Sequence, residues 1–249
     1  MNYKTIITIN LISLLFSSLS AQSDTEMRSF MKTVPVGKET TLEISNKYGT
    51  IHITSWNKDS AYIRGEVKAF APNQTKLKKM FEGITVNITE TKYLVRAQTD
   101  FTQNINMLFE SFKGMTSKLI SYDSRVEINY YINIPEYLNL KIENKYGDVY
   151  MEDNTGDISI LVSNGSFKAN SLGKSSSITM AFCEATINSI TSGKIDASFS
   201  EISIGETGDI SINSISSKYD IKKAGMIRFE SRRDKFFIEN IETLQGTSY

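Results

Sequence analysis

The sequence predicts a mainly β chain: a two-faced β-solenoid, or single-stranded β-helix, with rungs of about 17 residues, plus two short helices in an insertion. Three observations carry this expectation. The stretch from Leu138 to Ile241 reads as one short unit written about six times, with later copies beginning near Gly156, Lys174, Gly193, Gly208 and Gly225, at spacings of 18, 19, 15 and 17 residues. Each copy holds two runs in which apolar residues alternate, such as Ile158 and Ile160 followed by Phe167 and Ala169, and a period of two puts them on one face of a strand. Gly, Asn and Ser break the runs, while Ile, Val and Thr fill them, a composition that suits strands and disfavours helices.

One such rung cannot stand alone. Fixing each backbone residue costs roughly 1–2 kcal/mol, and each buried apolar side chain returns about 1.5–3 kcal/mol. With only four or five such side chains per copy, a rung needs neighbours that share its core and hydrogen bonds. The competing architecture is an antiparallel sandwich with a hairpin in each copy, but a sandwich rarely keeps so regular a period.

Taken in order, residues 1–21 read as a secretory signal peptide: Lys4 supplies the positive end, Ile6 to Leu19 the apolar core, and Ser18, Ser20 and Ala21 the small residues at the cleavage site. The apolar run is too interrupted to span a bilayer. Removing it takes away one Lys and no acid, leaving 27 basic and 28 acidic residues, a charge of −1, on 249 − 21 = 228 residues. A balance so near neutral argues against generic nucleic-acid binding. Residues 22–37 read as a leader, 38–136 as a first β region with helical insertions, and 137–249 as the repeat solenoid continuous with it.

In the first region, Asn-Lys-Tyr-Gly at 46–49 returns at 144–147, 98 residues later (144 − 46). Tyr62 to Phe70 reads as a further strand. Asn73 is a helix cap for residues 73–82, with Leu77, Met80 and Phe81 on one face, and Gly83 stops the helix. Ile84 to Thr89 and Tyr93 to Ala97 form a hairpin across Glu90, Thr91 and Lys92. In residues 101–121, Ile105, Leu108, Phe109, Phe112, Met115 and Leu119 fall on one helical stripe, a second helix that lies over the sheet, seals an end of the solenoid or meets a partner. Arg125 to Ile134 returns to strict alternation before Pro135.

Reactive residues are few. Cys183 is the only cysteine, so no disulfide framework exists, and it sits at a rung break where other copies carry Gly147, Gly165 or Ser200. His52 is the only histidine and alternates with Ile51 and Ile53, so it faces water. No Gly-rich phosphate loop, nucleophile elbow or His-Glu metal motif appears, and no cofactor is called for. Asp157, Asp196 and Asp209 lie near rung starts and would stack into an acidic column if their registers agree.

Gly49 and Gly147 are expected to take positive φ at the turn, and Asn46 and Asn144 to turn inward there and bond the turn backbone. Tyr48, Tyr146, Phe182, Phe199 and Tyr219 recur near the breaks. Exposed, they would form a strip suited to sugar rings; inward, they fill the corners of the core. The terminal rung, Gly225 to Ile241, lacks an amphipathic cap after it, so end-to-end self-association through residues 225–241 is expected unless the 101–121 helix folds over it.

The residues also resemble a known group. Val126-Glu-Ile128-Asn-Tyr130-Tyr-Ile132-Asn-Ile134-Pro135 followed by Leu140-Lys-Ile142-Glu-Asn144-Lys-Tyr146-Gly147 is similar to the putative-adhesin family, bacterial exported proteins of unknown function. The resemblance covers residues 38–70 and 125–241. It implies a β-solenoid on the envelope side of a Gram-negative-type bacterium, in the periplasm or at the cell surface, and it supplies no catalytic residues to carry over. The chain departs from the family pattern in 101–121. Together these readings give a non-catalytic exported module that binds a protein or glycan of the envelope or serves as scaffold. The alternatives are a periplasmic partner in envelope-stress regulation and, below it, a polysaccharide-active β-helix enzyme.

Overall fold

Alternation of apolar and polar residues makes strands, and the strands stack. The computed structural model describes residues 24–102, 124–173 and 175–249. The signal-peptide stretch and residues 103–121 of the expected second helix lie outside them. Phe101, its first residue, ends a strand.

The described elements in chain order are β1 (Asp24–Pro35), β2 (Thr41–Lys47), β3 (Ile51–Ser55), β4 (Ser60–Ala71), α1 (Gln74–Glu82), β5 (Ile84–Glu90), β6 (Leu94–Phe101), β7 (Arg125–Ile134), β8 (Asn139–Lys145), β9 (Val149–Met151), β10 (Ile158–Leu172), β11 (Ser176–Ser198), β12 (Glu201–Ile215), β13 (Lys218–Arg232) and β14 (Lys235–Ser248). All 14 strands belong to one hydrogen-bonded sheet that bends at corners, giving a solenoid-like stack of about six turns. The long strands run round a corner without a break: β11 pairs with β10 through Ser176–Ala181 on one face, and through Cys183–Ile190 on the other. We call these face A and face B.

The ladders between rungs are parallel. The register advances by 18 residues from β10 to β11 (Ile158 to Ser176) and by 17 from β11 to β12 (Ser192 to Asp209). Between β2 and β8 it advances by 98, with Leu42 beside Leu140 and Asn46 beside Asn144. Residues 56–138 are therefore an insertion between two neighbouring rungs. They return to the far side of the first rung, where β6 pairs parallel with β2 and β7 pairs parallel with β3. Beyond them the pairing turns antiparallel: β5 on β6, β4 on β7 and β1 on β4. The stretch read as a leader thus supplies a 12-residue edge strand.

Helix α1 closes this end. Asn73 caps it by accepting from the Lys76 N–H, and Leu77, Met80 and Phe81 are buried against the sheet, where the helix meets β1, β4 and β5. No described helix is long and apolar enough to cross a membrane. The core runs the length of the stack, filled by the inward member of each alternating pair, from Leu42 and Ile51 to Ile221 and Ile227.

The corner between face A and face B repeats in every rung. Tyr48, Tyr146, Asn164, Phe182, Phe199, Ser216 and Arg233 each hold a left-handed conformation there, with φ between 50° and 63°. Such a non-glycine residue costs on the order of 1–3 kcal/mol. The conformation persists because it points the corner N–H at the next rung: Tyr146 donates to the Ser163 carbonyl at 2.9 Å and Phe199 to that of Ile215 at 3.0 Å. The expectation that Gly49 and Gly147 take positive φ is therefore corrected, since the strained residue is the tyrosine before each. The glycines answer a different constraint, close approach. A Cβ on Gly147 would lie 1.9 Å from the Gly49 carbonyl oxygen, and one on Gly49 would lie 2.0 Å from that of Ile128.

Two predictions follow from this packing. Gly147→Ala forces backbone apart and should lower the unfolding free energy by about 2–3 kcal/mol, while Gly37→Ala, with nothing within 4 Å of the added carbon, should be neutral; urea titration of both variants checks this. Tyr130 is fully buried, which pushes its hydroxyl up to about 12 against the partly offsetting hydrogen bond to Thr99. Burial likewise raises the Tyr219 hydroxyl. A raised folded value means that the native state holds the proton more tightly, so this stabilisation is intact below pH 10 and lost as pH climbs through 12. Stability should fall there by about 1.4 kcal/mol per pH unit per tyrosine, and Tyr130→Phe should flatten the slope.

Candidate functional site

The corner positions the residues that the sequence singles out. Asn46 and Asn144 are neighbours across the first two rungs, and both are buried. Asn46 donates through Nδ2 to the Ile128 carbonyl at 2.9 Å, and Asn144 donates to the carbonyls of Gly49 and Asp148, each at 3.0 Å. They hold turn carbonyls in adjoining rungs and take no part in an open site. Asn154, which the sequence reading did not single out, does the same at the opposite corner, donating to Leu138 and accepting from the Gly156 N–H.

Beyond the third rung the corner changes chemistry. The place of Gly49, Gly147 and Gly165 passes to Cys183, Ser200, Ser217 and Asp234. Each side chain beyond Cys183 accepts the N–H of the residue one rung earlier: Cys183 N–H to Ser200 Oγ at 3.2 Å, Ser200 N–H to Ser217 Oγ at 3.2 Å, and Ser217 N–H to Asp234 Oδ1 at 2.6 Å. The hydroxyls of Ser200 and Ser217 in turn donate to carbonyls two residues back. Cys183 is buried in this ladder, with its thiol toward the carbonyls of Val162 and Ala181. It is a corner residue.

The five aromatic residues divide. Tyr219 is 0% exposed and lies in the core, stacked on Phe236 with centroids 4.7 Å apart. It falls two residues past the corner that the others occupy, and counting from the breaks alone does not separate these positions. Phe182 and Phe199 are 59% and 51% exposed and stack at 5.1 Å; Tyr48 and Tyr146 are half-buried and stack at 5.5 Å. Asn164 separates the two pairs. The five rings form neither one sugar-binding strip nor one buried column. The expected acidic column also dissolves, because Asp209 pairs with Ser192 and Met226 while Asp196 pairs with Asn213.

The largest concavity lies elsewhere, on the outer side of face B. It is a groove of about 660 Å³ crossing five rungs, from His52, Thr54 and Tyr150 to Asp220 and Lys222. Register builds it. Outward residues at equivalent positions form a row in which His52 lies between Tyr131 and Tyr150, followed by Lys168, Thr186, Ser203 and Asp220. At one end the rings stack nearly parallel, His52 on Tyr131 at 5.3 Å and on Tyr150 at 5.0 Å, with the Arg64 guanidinium over Tyr131 and the Lys168 ammonium over Tyr150. Beside this row runs a polar one. Asn188 donates to Asn170 at 3.2 Å, and Asn170 donates to Asp153 at 2.6 Å. Gly205 follows, leaving a gap in the floor before Lys222; its position is set by the Asn188 carbonyl, 2.5 Å from any Cβ.

His52 thus faces outward, and it is the centre of a ring stack. The signal was present in the sequence, since the 98-residue repeat carries His52 onto Tyr150. Tyr131 was hidden because nothing local shows that β7 adjoins β3. Among the described residues no three His, Cys, Asp or Glu side chains form a metal-binding group. The groove can offer amide, hydroxyl and both signs of charge to a ligand, without a paired acid and base at its centre.

No family model matches the chain, and no curated protein matches it in sequence. Similar solved structures include a putative adhesin from Bacteroides fragilis (12% identity, 88% of this chain and 97% of that one, TM-score 0.37) and a putative cell adhesion protein from Clostridium sporogenes (13%, 91% and 98%, 0.29). A putative lipid binding protein from Parabacteroides distasonis is also similar (11%, 91% and 95%, 0.43). The first two belong to the kind of protein that the Asn-Lys-Tyr-Gly rungs resemble.

Replacing the middle ring tests how the groove is built. His52→Ala should lower stability by about 1 kcal/mol, the order of one aromatic stack, while His52→Tyr should restore it. Thermal melts of the two variants give the comparison.

Proposed function

We propose that this chain is an exported, non-catalytic β-solenoid of the cell envelope, working as an adhesin-like binding or scaffold module for a protein or glycan. The face B groove carries the reading: a long furrow whose amides, hydroxyls and charges face water, with their spacing fixed by the ladder beneath. Rigid placement of polar groups is what recognition needs, because little ordering entropy remains to be lost on binding. The absence of an aligned carboxylate pair in the groove supports binding rather than bond cleavage. Export rests on the Lys4-led apolar stretch at residues 1–21, and end-to-end assembly through residues 225–241 would suit a scaffold.

A glycan array probed with the mature protein tests this reading, alongside a pull-down from envelope extracts. Asn188→Ala and Asp220→Ala should each weaken ligand retention at least tenfold, the scale of a lost charge-assisted or buried hydrogen bond. Lys194→Ala, whose side chain bonds Asp196 on face A, should leave it unchanged. Retention that survives both groove variants, or turnover of a bound polysaccharide, would remove the proposal.

A further inference from the structure

The two ends of the stack are not alike. One is closed by α1 and the antiparallel strands. At the other, β14 pairs with β13 alone among the described residues. Its inward side chains Phe236, Ile238 and Ile241 are only half-buried, and Phe237, which points outward, is 54% exposed. The Lys235 N–H bonds the Ser217 carbonyl, so the backbone groups of Lys235, Phe237 and Glu239 face β13. Those of Phe236 and Ile238, one residue out of step, face the free edge. An unpaired edge of this kind is a template for another strand.

We propose that the occupant is β14 of a second copy, paired antiparallel about a two-fold axis through Phe237. Charge selects the register. With Phe237 on the axis, Lys235 of each chain lies opposite Glu239 of the other on the outer face, and Phe236 lies opposite Ile238 on the inner face. Among the described residues neither Lys235 nor Glu239 has an ion-pair partner, and Lys235 lies beside Lys218 of the preceding rung. Centring on Glu239 instead would set two like charges face to face, which destabilises a strand pair. The backbone agrees: Phe236 and Ile238 present their N–H and C=O groups to the edge, so each exchanges both hydrogen bonds with the other chain's Ile238 or Phe236. The Phe237 pair then falls at the non-hydrogen-bonded position, where side chains come closest. The contact is isologous, and because α1 covers the opposite end, the assembly closes at two copies. Phe237 lies beside Asp220 in the face B row, so the dimer sets two grooves end to end on one surface.

Light scattering of the mature protein should give twice the monomer mass. Phe237→Lys, at an exposed outward position, should halve it without changing the circular dichroism spectrum. Lys235→Glu should also halve it, and the double exchange Lys235→Glu with Glu239→Lys should restore the dimer, a rescue that general surface stickiness does not produce. Phe237→Cys should yield a disulfide-linked dimer under mild oxidation. A wild-type mass of one chain at the highest soluble concentration would overturn the proposal, as would a dimer indifferent to both charge variants. Amide exchange showing β14 protected in a monomer would assign its edge to residues 103–123 instead.

Discussion

The corner between the two faces is the constraint on which this fold depends. Each rung must turn sharply while keeping its hydrogen bonds to the rungs on both sides. The chain does this by placing one residue in a left-handed conformation whose N–H reaches the next rung's carbonyl. Strain at that residue is local, and the bond it permits is shared between rungs. The residue after it then meets the neighbouring backbone closely, so only glycine, or a small side chain able to take over a hydrogen bond, is accepted there. The change from Gly49, Gly147 and Gly165 to Cys183, Ser200, Ser217 and Asp234 is one geometric demand met by two chemistries. Asp234 accepts from the Ser217 N–H, the Ser214 hydroxyl and the Arg232 N–H, and so gathers the last corner with a charge.

Much of this was legible in the chain. Alternation located the strands from β2 onward, and the return of Asn-Lys-Tyr-Gly after 98 residues marked two rungs that are adjacent in space. The cap at Asn73 and the apolar face of Leu77, Met80 and Phe81 placed α1. What local pattern could not give was sheet order. That β7 adjoins β3 and β6 adjoins β2 depends on an insertion folding back past its own starting rung, and such pairing leaves no mark within any short window. Residues 24–35 passed for a leader because Met27, Arg28 and Met31 blur their alternation, yet they form the outermost antiparallel strand.

The candidate site was legible only in part, for a related reason. A groove on a solenoid is a property of rows, and rows are set by register. Sequence inspection ranks residues by how conspicuous they are, which favoured the aromatic residues at the breaks. Tyr219 stands two residues past its corner and so belongs to the core, whereas Asn170, Asn188 and Gly205, unremarkable singly, line up into a furrow. A single offset of 17 or 18 residues, applied consistently, assembles that row.

The constancy of that offset has an evolutionary side. Between β11 and β14 each rung spans 17 residues and presents the same corner bond to the next. Duplicating or deleting one such unit leaves both junctions chemically satisfied, so the chain can change length in whole rungs, each worth one inter-strand spacing of about 4.8 Å. Insertions of other sizes would break the corner ladder and survive only where they build their own closure, as residues 56–138 do. The molecule is in this sense a ruler with discrete divisions, and the reach of its outer furrow is set by copy number while the two ends stay unaltered.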